Sequence, residues 1–167
     1  MGQRLAIAAA AALGAWLLTE TLVRAQERLE PHLVRPMVNQ SVAGGPAWLG
    51  AGDVMALIEI ESNFRPRALR WEPHLGEASM GLTQILLSTA RDRGFTGTPA
   101  ELFDPERNIA FGVAHLVWTR DYLADRGGAQ SRDEWISAYN TGVGAAMKGR
   151  RNLHYVHRFN QARARYG

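Results

Sequence analysis

Between Asp53 and Phe64 the chain reads DVMALIEIESNF, and Val54, Leu57 and Ile58 recur at the spacing of one helical face. Glu61 takes the next place on that stripe, seven residues after Val54. A helix beginning near Asp53 therefore carries an ionisable group in line with its apolar face. Glu59 sits about 200° round the axis from Glu61 and reads as a flanking charge on another face. A second apolar segment, GLTQILLSTARDRG, predicts a helix that starts after Ser79 and stops at Gly94. In FDPERNIAFGVAHLVWTRDYLADRGG, Asp104 is a candidate N-cap, Pro105 fits the first helical position, and Gly127 and Gly128 end the helix. Ser131 and Glu134 form a capping box ahead of Trp135, Ile136 and Tyr139. NTGVG breaks that helix, and Asn152 caps a last one running to about Tyr166. Trp118, Trp135 and Phe111 fall at helical spacing and read as core. Strand signals are scarce, with a short hairpin expected around residues 67–79. The pattern predicts a small, mainly α domain over residues 46–167. Residues 26–45, with two prolines and a Gly pair, read as a linker tethering it to what precedes.

What precedes is an unbroken apolar run from Leu5 to Leu18 behind Arg4. With Val23 and Ala25 at the end, residues 1–25 fit a secretory signal cleaved after Ala25. Extended to Val23, the same run fits a retained N-terminal membrane anchor. Either reading sends the domain across or onto a membrane, into the periplasm or cell envelope. The apolar share of 46% and charged share of 21% are those of a globular chain, and 167 residues suffice for one domain with a short appendage. No cysteine is present, which excludes disulfides and thiolate chemistry. From Ala145 onward the charges are Lys148, Arg150, Arg151, Arg158, Arg163 and Arg165, with no acid. Such a tail suits anionic partners or a solvated helix face, but no recognisable motif accompanies it, so specific nucleic-acid binding is the weakest reading. His74, His115, His154 and His157 lack a compact ligand spacing, so no metal site is expected.

Glu61 is the candidate chemistry. A carboxyl buried without a cationic partner is pushed toward its neutral form, which suits a general acid near neutral pH. The stripe alone leaves a second reading open, a carboxylate that caps backbone or pairs with Arg65 or Arg67. The blocks that follow bear on the choice: ESNFRPRA, GEASMGLTQILLSTA, SAYNTGVG and HYVHRF. In this order they resemble the lytic transglycosylases of the goose-type-lysozyme-like superfamily, the soluble lytic transglycosylase domain. The family pattern runs Glu-Ser, Gly-Leu-Met-Gln-Ile/Leu ending in Thr-Ala, Ala-Tyr-Asn-x-Gly, and a Tyr-Val pair. The resemblance spans about residues 46–160.

It implies a lysozyme-like α+β fold with a substrate cleft, and a reaction on peptidoglycan glycan strands without metal or cofactor. Glu61 would be the catalytic acid/base. Ser62 would orient the neighbouring cleft wall, and Gln84 would line the cleft and bind sugar. Tyr139 and Asn140 would stand opposite Glu61, and Tyr155 would close the cleft from the last helix. The resemblance also implies one carboxylate instead of two, with the substrate's N-acetyl group assisting and the C6 hydroxyl attacking C1 to leave a 1,6-anhydro product. The sequence departs from the pattern at Thr83, where Met is usual, at Leu87, where Pro is common, and in the longer RWEPHLG segment (70–76). These bear on groove shape. The extended segment adds Glu77 as a candidate second carboxylate and Trp71 as a candidate for stacking on sugar. A lysozyme-type hydrolase or a glycan-gripping component of a virion or secretion machine are the alternatives.

Overall fold

Val34 and Val38, one helical turn apart, are fully buried in the main core. They belong to helix α1 (Pro31–Val42) of this computed structural model, which describes residues 27–128 and 131–167. The expected linker is thus corrected over residues 27–45: it is a structural layer. The prolines misled because both are tolerated. Pro31 lies in the first turn, where a missing N–H costs little, and Pro36 removes one bond, to the exposed His32. Leu29 N–H donates to Phe64 O at 2.8 Å, and Arg35 Nη1 donates to Tyr166 O at 3.0 Å, tying the first half of the layer down. The expected signal or anchor at residues 1–25 lies outside the described residues. Among those described, no helix is long and apolar enough to cross a membrane.

Helix α2 (Ala51–Ser62) carries the predicted stripe, but every residue from Asp53 to Ile58 is buried. It is a central helix, enclosed by its neighbours, and polar groups are confined to its ends. At its start Asp53 accepts from Gly50 N at 3.0 Å and from Arg163 Nε at 2.6 Å. At its far end Asn63 and Phe64 take left-handed φ values of 51° and 60°, which turn the chain out toward the sheet.

That sheet has three antiparallel strands in the order β1 (Leu69–Glu72), β2 (Glu77–Met80) and β3 (Ile85–Leu86). Trp71 pairs with Ala78, and Met80 pairs with Ile85. The hairpin expected around 67–79 is present. The helix expected over 80–94 is corrected: helix α3 covers Leu87–Asp92 alone. Gly81 (φ 74°) and Gln84 (φ 48°) occupy left-handed conformations that no helix accepts, and a short strand fills the interval to Leu86. Leu87, one of the departures from the family pattern, is the first residue of α3 and affects a helix start instead of the groove.

Local signals hold well in the second half. After a 3₁₀ turn (Pro99–Phe103), helix α4 runs Pro105–Ala124, with Asp104 Oδ1 accepting from Arg107 N at 2.9 Å. Helix α5 (Arg132–Thr141) begins with Ser131 N donating to Glu134 Oε2 at 3.0 Å. A short α6 (Val143–Met147) follows Gly142, and α7 (Leu153–Tyr166) begins with Asn152 Oδ1 accepting from Tyr155 N at 3.0 Å. Trp135 is buried, and Phe111 packs edge-on to Phe95 at 5.2 Å in a second core beneath the sheet. Trp118 is half-buried, with the Arg93 guanidinium 4.0 Å above its ring. The basic tail is largely committed to the fold: Arg163 bonds Asp53, Arg165 and Tyr166 bond Glu59, and Arg151 bonds Glu134.

Candidate active site

Glu61 stands in the last turn of α2, where the helical core meets the sheet. Two tyrosines from other helices flank it. The Tyr155 hydroxyl, from α7, donates to Glu61 Oε1 in a short hydrogen bond. Desolvation pushes the Glu61 carboxyl up from 4.5 to about 7. The Tyr155 hydrogen bond and the charges of Arg70 and Arg158 pull it back, while Glu72 adds to the rise. The residue keeps one edge in the cleft and is half-buried. Burial, and then the Glu61 charge, lift both Tyr139 and Tyr155 well above the ordinary phenol range, so both remain hydroxyl donors.

Tyr139, from α5, donates to Thr83 O at 3.0 Å. Thr83 is fully buried, and its hydroxyl reaches Asn108 Oδ1 at 2.9 Å. The Thr in place of the usual Met thus faces the core, and the expectation that it reshapes the groove is corrected. Gln84, next in the chain, does line the cleft. Its amide donates to Ala68 O (3.1 Å) and Gly81 O (3.0 Å), and its Oε1 lies 3.1 Å from Ser79 Oγ. Both donors are therefore committed to the loop, and Oε1, which accepts from Ser79 Oγ, keeps a second lone pair for a ligand. His115 backs Tyr139 with ring centroids 5.3 Å apart. Desolvation and the neighbouring Arg93 hold His115 down at about 4, so it is a neutral packing partner.

The other expected residues divide. Asn140 lines the cleft beside Tyr139, and its Oδ1 accepts from Asn152 Nδ2 at 2.8 Å. Ser62 is buried, and its hydroxyl donates back to Ile58 O at 3.1 Å, one turn earlier in its own helix. Its hydroxyl proton is committed to that turn, and the residue also borders the cleft. Glu77 accepts from Ser88 N (3.2 Å) and Ser88 Oγ (2.6 Å), so it fastens α3 to the sheet, and it does not line the hollow around Glu61. Trp71 is 61% exposed on β1 and does not line the hollow around Glu61. What residue patterns missed is the pair Arg70 and Glu72, joined at 2.6 Å and lining that hollow. Their alternation along a four-residue strand is too short to read as a signal. Among the described residues no three His, Asp or Glu converge on a metal position.

Glu61, Arg70 and Gln84 stand where two arms of the cleft join. One arm, of about 190 Å³, runs past Glu72, Leu75, Tyr139 and Asn140. The other, of about 980 Å³, runs past Arg65, Arg67, Leu69 and Arg158. An open groove crossing a poised carboxyl suits an elongated substrate that is cut between its units.

Comparison with known proteins agrees with this geometry. Over 143 residues the chain is 34% identical to the membrane-bound lytic murein transglycosylase C of Photorhabdus laumondii, covering 80% of this chain and 38% of that protein. With the protein of the same name from Yersinia enterocolitica it shares 32% over 142 residues, covering 80% and 38%. The chain thus spans less than two-fifths of the length of these relatives. The 70 kDa soluble lytic transglycosylase of Escherichia coli has the same fold, with a TM-score of 0.55 and 23% identity over 78% of this chain and 22% of that one. The lytic transglycosylase Slt of Pseudomonas aeruginosa gives 0.55 and 22%, over 79% and 22%. The sequence profile of the transglycosylase SLT domain matches residues 51–159, from the first turn of the Glu61 helix to the helix that carries Tyr155, and the chain belongs to that family.

Proposed function

We propose that the chain is a peptidoglycan lytic transglycosylase, cleaving the β-1,4 bond between N-acetylmuramic acid and N-acetylglucosamine and leaving a 1,6-anhydro end. One observation carries this reading: a carboxyl desolvated to about 7, gripped by Tyr155, at the crossing of an open groove. Such a group can release a proton and recover it within one turnover at neutral pH. With Oε1 accepting from Tyr155, the acidic proton resides on Oε2. Glu61 gives it to the glycosidic oxygen as the bond to C1 breaks, and the neighbouring acetamido oxygen stabilises the positive charge at C1. The Glu61 carboxylate then takes the proton of the C6 hydroxyl as that oxygen bonds to C1. No water enters, and the enzyme returns to its starting protonation. Tyr139, Asn140 and the Gln84 Oε1 hold the muramic ring so that the internal nucleophile is already in place, which supplies much of the rate gain.

The relatives' membrane-bound names and the apolar N-terminal run support action in the periplasm or cell envelope, by an exported or anchored chain. They favour that setting over a virion or a secretion machine. A second reading has an observation of its own: Glu72 brings another carboxylate into the same hollow, which is what a two-carboxylate hydrolase requires. Its ion pair with Arg70 at 2.6 Å weighs against it, because a neutralised carboxylate is a poor base. Mass spectrometry of digested sacculi separates the two. Anhydro-muropeptides are the expected products, and reducing-end muropeptides would establish the hydrolase instead.

The same geometry fixes a pH dependence. Activity requires protonated Glu61, so kcat/KM falls as pH rises past about 7. Tyr155 favours the charged carboxylate, and deleting its hydroxyl raises the Glu61 pKa further. Tyr155→Phe is expected to move the alkaline limb upward by about one pH unit, with a lower maximum, because a hydrogen bond to a charged group is worth that much. A limb that stays in place would remove Tyr155 from control of Glu61.

A further inference from the structure

The larger arm of the cleft is strongly basic, and the acids near it are already committed. Arg65, Arg67, Arg70 and Arg158 line it together with Glu59 and Glu61. Glu59 is held by Arg165 and by the Tyr166 hydroxyl at 2.5 Å, contacts that outweigh desolvation and keep it below the usual carboxylate range. Arg70 pairs with Glu72 at 2.6 Å, and Arg158 Nη2 donates to the backbone oxygen of Ile60 at 3.1 Å. Arg65 and Arg67 are exposed, and among the described residues neither guanidinium has a carboxylate partner. Other arginines are held by acids: Arg107 by Glu101, Arg120 by Asp121, Arg151 by Glu134. The smaller arm shares Arg70, already paired with Glu72, and adds His74, Leu75 and Asn140 but no further arginine. The cleft is thus electrically asymmetric about Glu61.

Resting on the peptidoglycan reading above, we infer that this arm binds the carboxylates of the peptide stems, and that Arg65 and Arg67 make the enzyme favour stem-bearing strands. The sugar ring and its acetamido group carry no charge, so the anions of such a strand are its lactyl and stem carboxylates. A lactyl carboxylate is a single group directly on the ring, and in a stem-bearing strand it is consumed in the amide to the peptide. The arm is about five times the volume of the one across Glu61, 980 Å³ against 190 Å³, which accommodates a branch as well as the strand. Guanidinium groups offer the paired N–H donors that match carboxylates, and unpaired ones bind without first breaking an internal salt bridge.

The test uses the full chain and soluble glycan strands of two kinds: stems intact, and stems removed by an amidase so that the lactyl carboxylate alone remains. The readout is the ratio of kcat/KM on the two strands. Two exposed pairs make this ratio about fivefold to tenfold in favour of intact strands for the wild type, expressed in KM and shrinking at 1 M salt. The double variant Arg65→Gln/Arg67→Gln brings the ratio close to one, and Arg65→Lys/Arg67→Lys keeps most of the preference. A wild-type ratio near one overturns the inference, as does a ratio that survives the double Gln variant. A fall equal on both strands also overturns it, because the arginines would then serve the glycan or the lactyl group. If the wild type cuts neither strand, the peptidoglycan reading itself fails; if it cuts both without preference, that reading stands and the stem inference alone falls.

Discussion

Glu61→Gln is expected to lower kcat/KM on peptidoglycan by at least about 10³-fold, because in the proposed mechanism one carboxyl performs both proton transfers and each is worth about 10²–10⁴. The same substitution stabilises the fold at alkaline pH, and the sign follows from linkage. In the native protein the carboxyl titrates near 7, against an ordinary value of 4.5 in the unfolded chain. Between these values the native state holds the proton that the unfolded state has released, so stability falls as pH rises through this window. Below about pH 4.5 both states are protonated and Glu61 costs nothing. Above about pH 7 the loss is complete, at most about 3 kcal/mol for a shift of this size. Gln has no such titration, so the stability difference between variant and wild type grows from near zero at pH 4 to at most about 3 kcal/mol at pH 8. Other groups titrate equally in both proteins and cancel. Paired urea melts at the two pH values measure it. A difference independent of pH would mean that Glu61 is not desolvated, and full activity in the variant would remove it from the chemistry.

That Glu61 could be found at all reflects which signals act locally. Its place on the stripe is a property of 3.6-residue periodicity, and the caps at Asp104, Ser131 and Asn152 depend on groups three residues away. Each was legible for that reason. Helix α1 was not, because Pro31 and Pro36 weigh against a helix locally, whereas Val34 and Val38 gain from burial against α2 and α4, distant in the chain. The 80–94 segment failed in the opposite sense. Its apolar residues suit a helix, but Gln84 is held at positive φ by its own amide's bonds to Ala68 and Gly81, which exist only in the folded loop. Glu59 read as a flanking charge, yet it fastens α2 to Arg165 and Tyr166, more than a hundred residues on. The site divides along the same line. The Tyr155 contact was reachable through resemblance, whereas Arg70, Glu72 and the committed hydroxyl of Ser62 became visible once the strands and helix ends had positions.

The second large effect is expected far from the proton transfers, at Asn108. This residue is fully buried on α4, and every hydrogen-bonding position of its side chain is used. Its Nδ2 donates to Met80 O at 2.9 Å and Leu102 O at 2.8 Å, and its Oδ1 accepts from Thr83 N at 2.8 Å and Thr83 Oγ1 at 2.9 Å. Gly81 lies against it so closely that an added Cβ would stand 2.2 Å from Nδ2. Asn108 therefore supplies, from one helix, the partners that the Gly81–Gln84 loop cannot find within itself. Asn108→Ala strands two carbonyls and an N–H in a buried space, each worth about 1–3 kcal/mol when left unpaired, while the Thr83 hydroxyl keeps the backbone oxygen of residue 108 at 3.3 Å. Water entering the vacated volume recovers part of this, so the expected loss is about 3–5 kcal/mol. Activity falls as well in the fraction still folded. Thr83 O is the acceptor for the Tyr139 hydroxyl, and Gln84 is the next residue, so a loosened loop releases the two groups proposed to hold the sugar. Asn108→Asp is nearly isosteric, yet it turns the donor pair into an acceptor facing two carbonyls, and it should be no better tolerated than Ala. Urea denaturation and kcat/KM measured at one temperature test both effects together. A loss below about 1 kcal/mol in either variant would show that the loop finds its shape without Asn108, and the positions of Tyr139 and Gln84 would then have to be explained by the sheet alone.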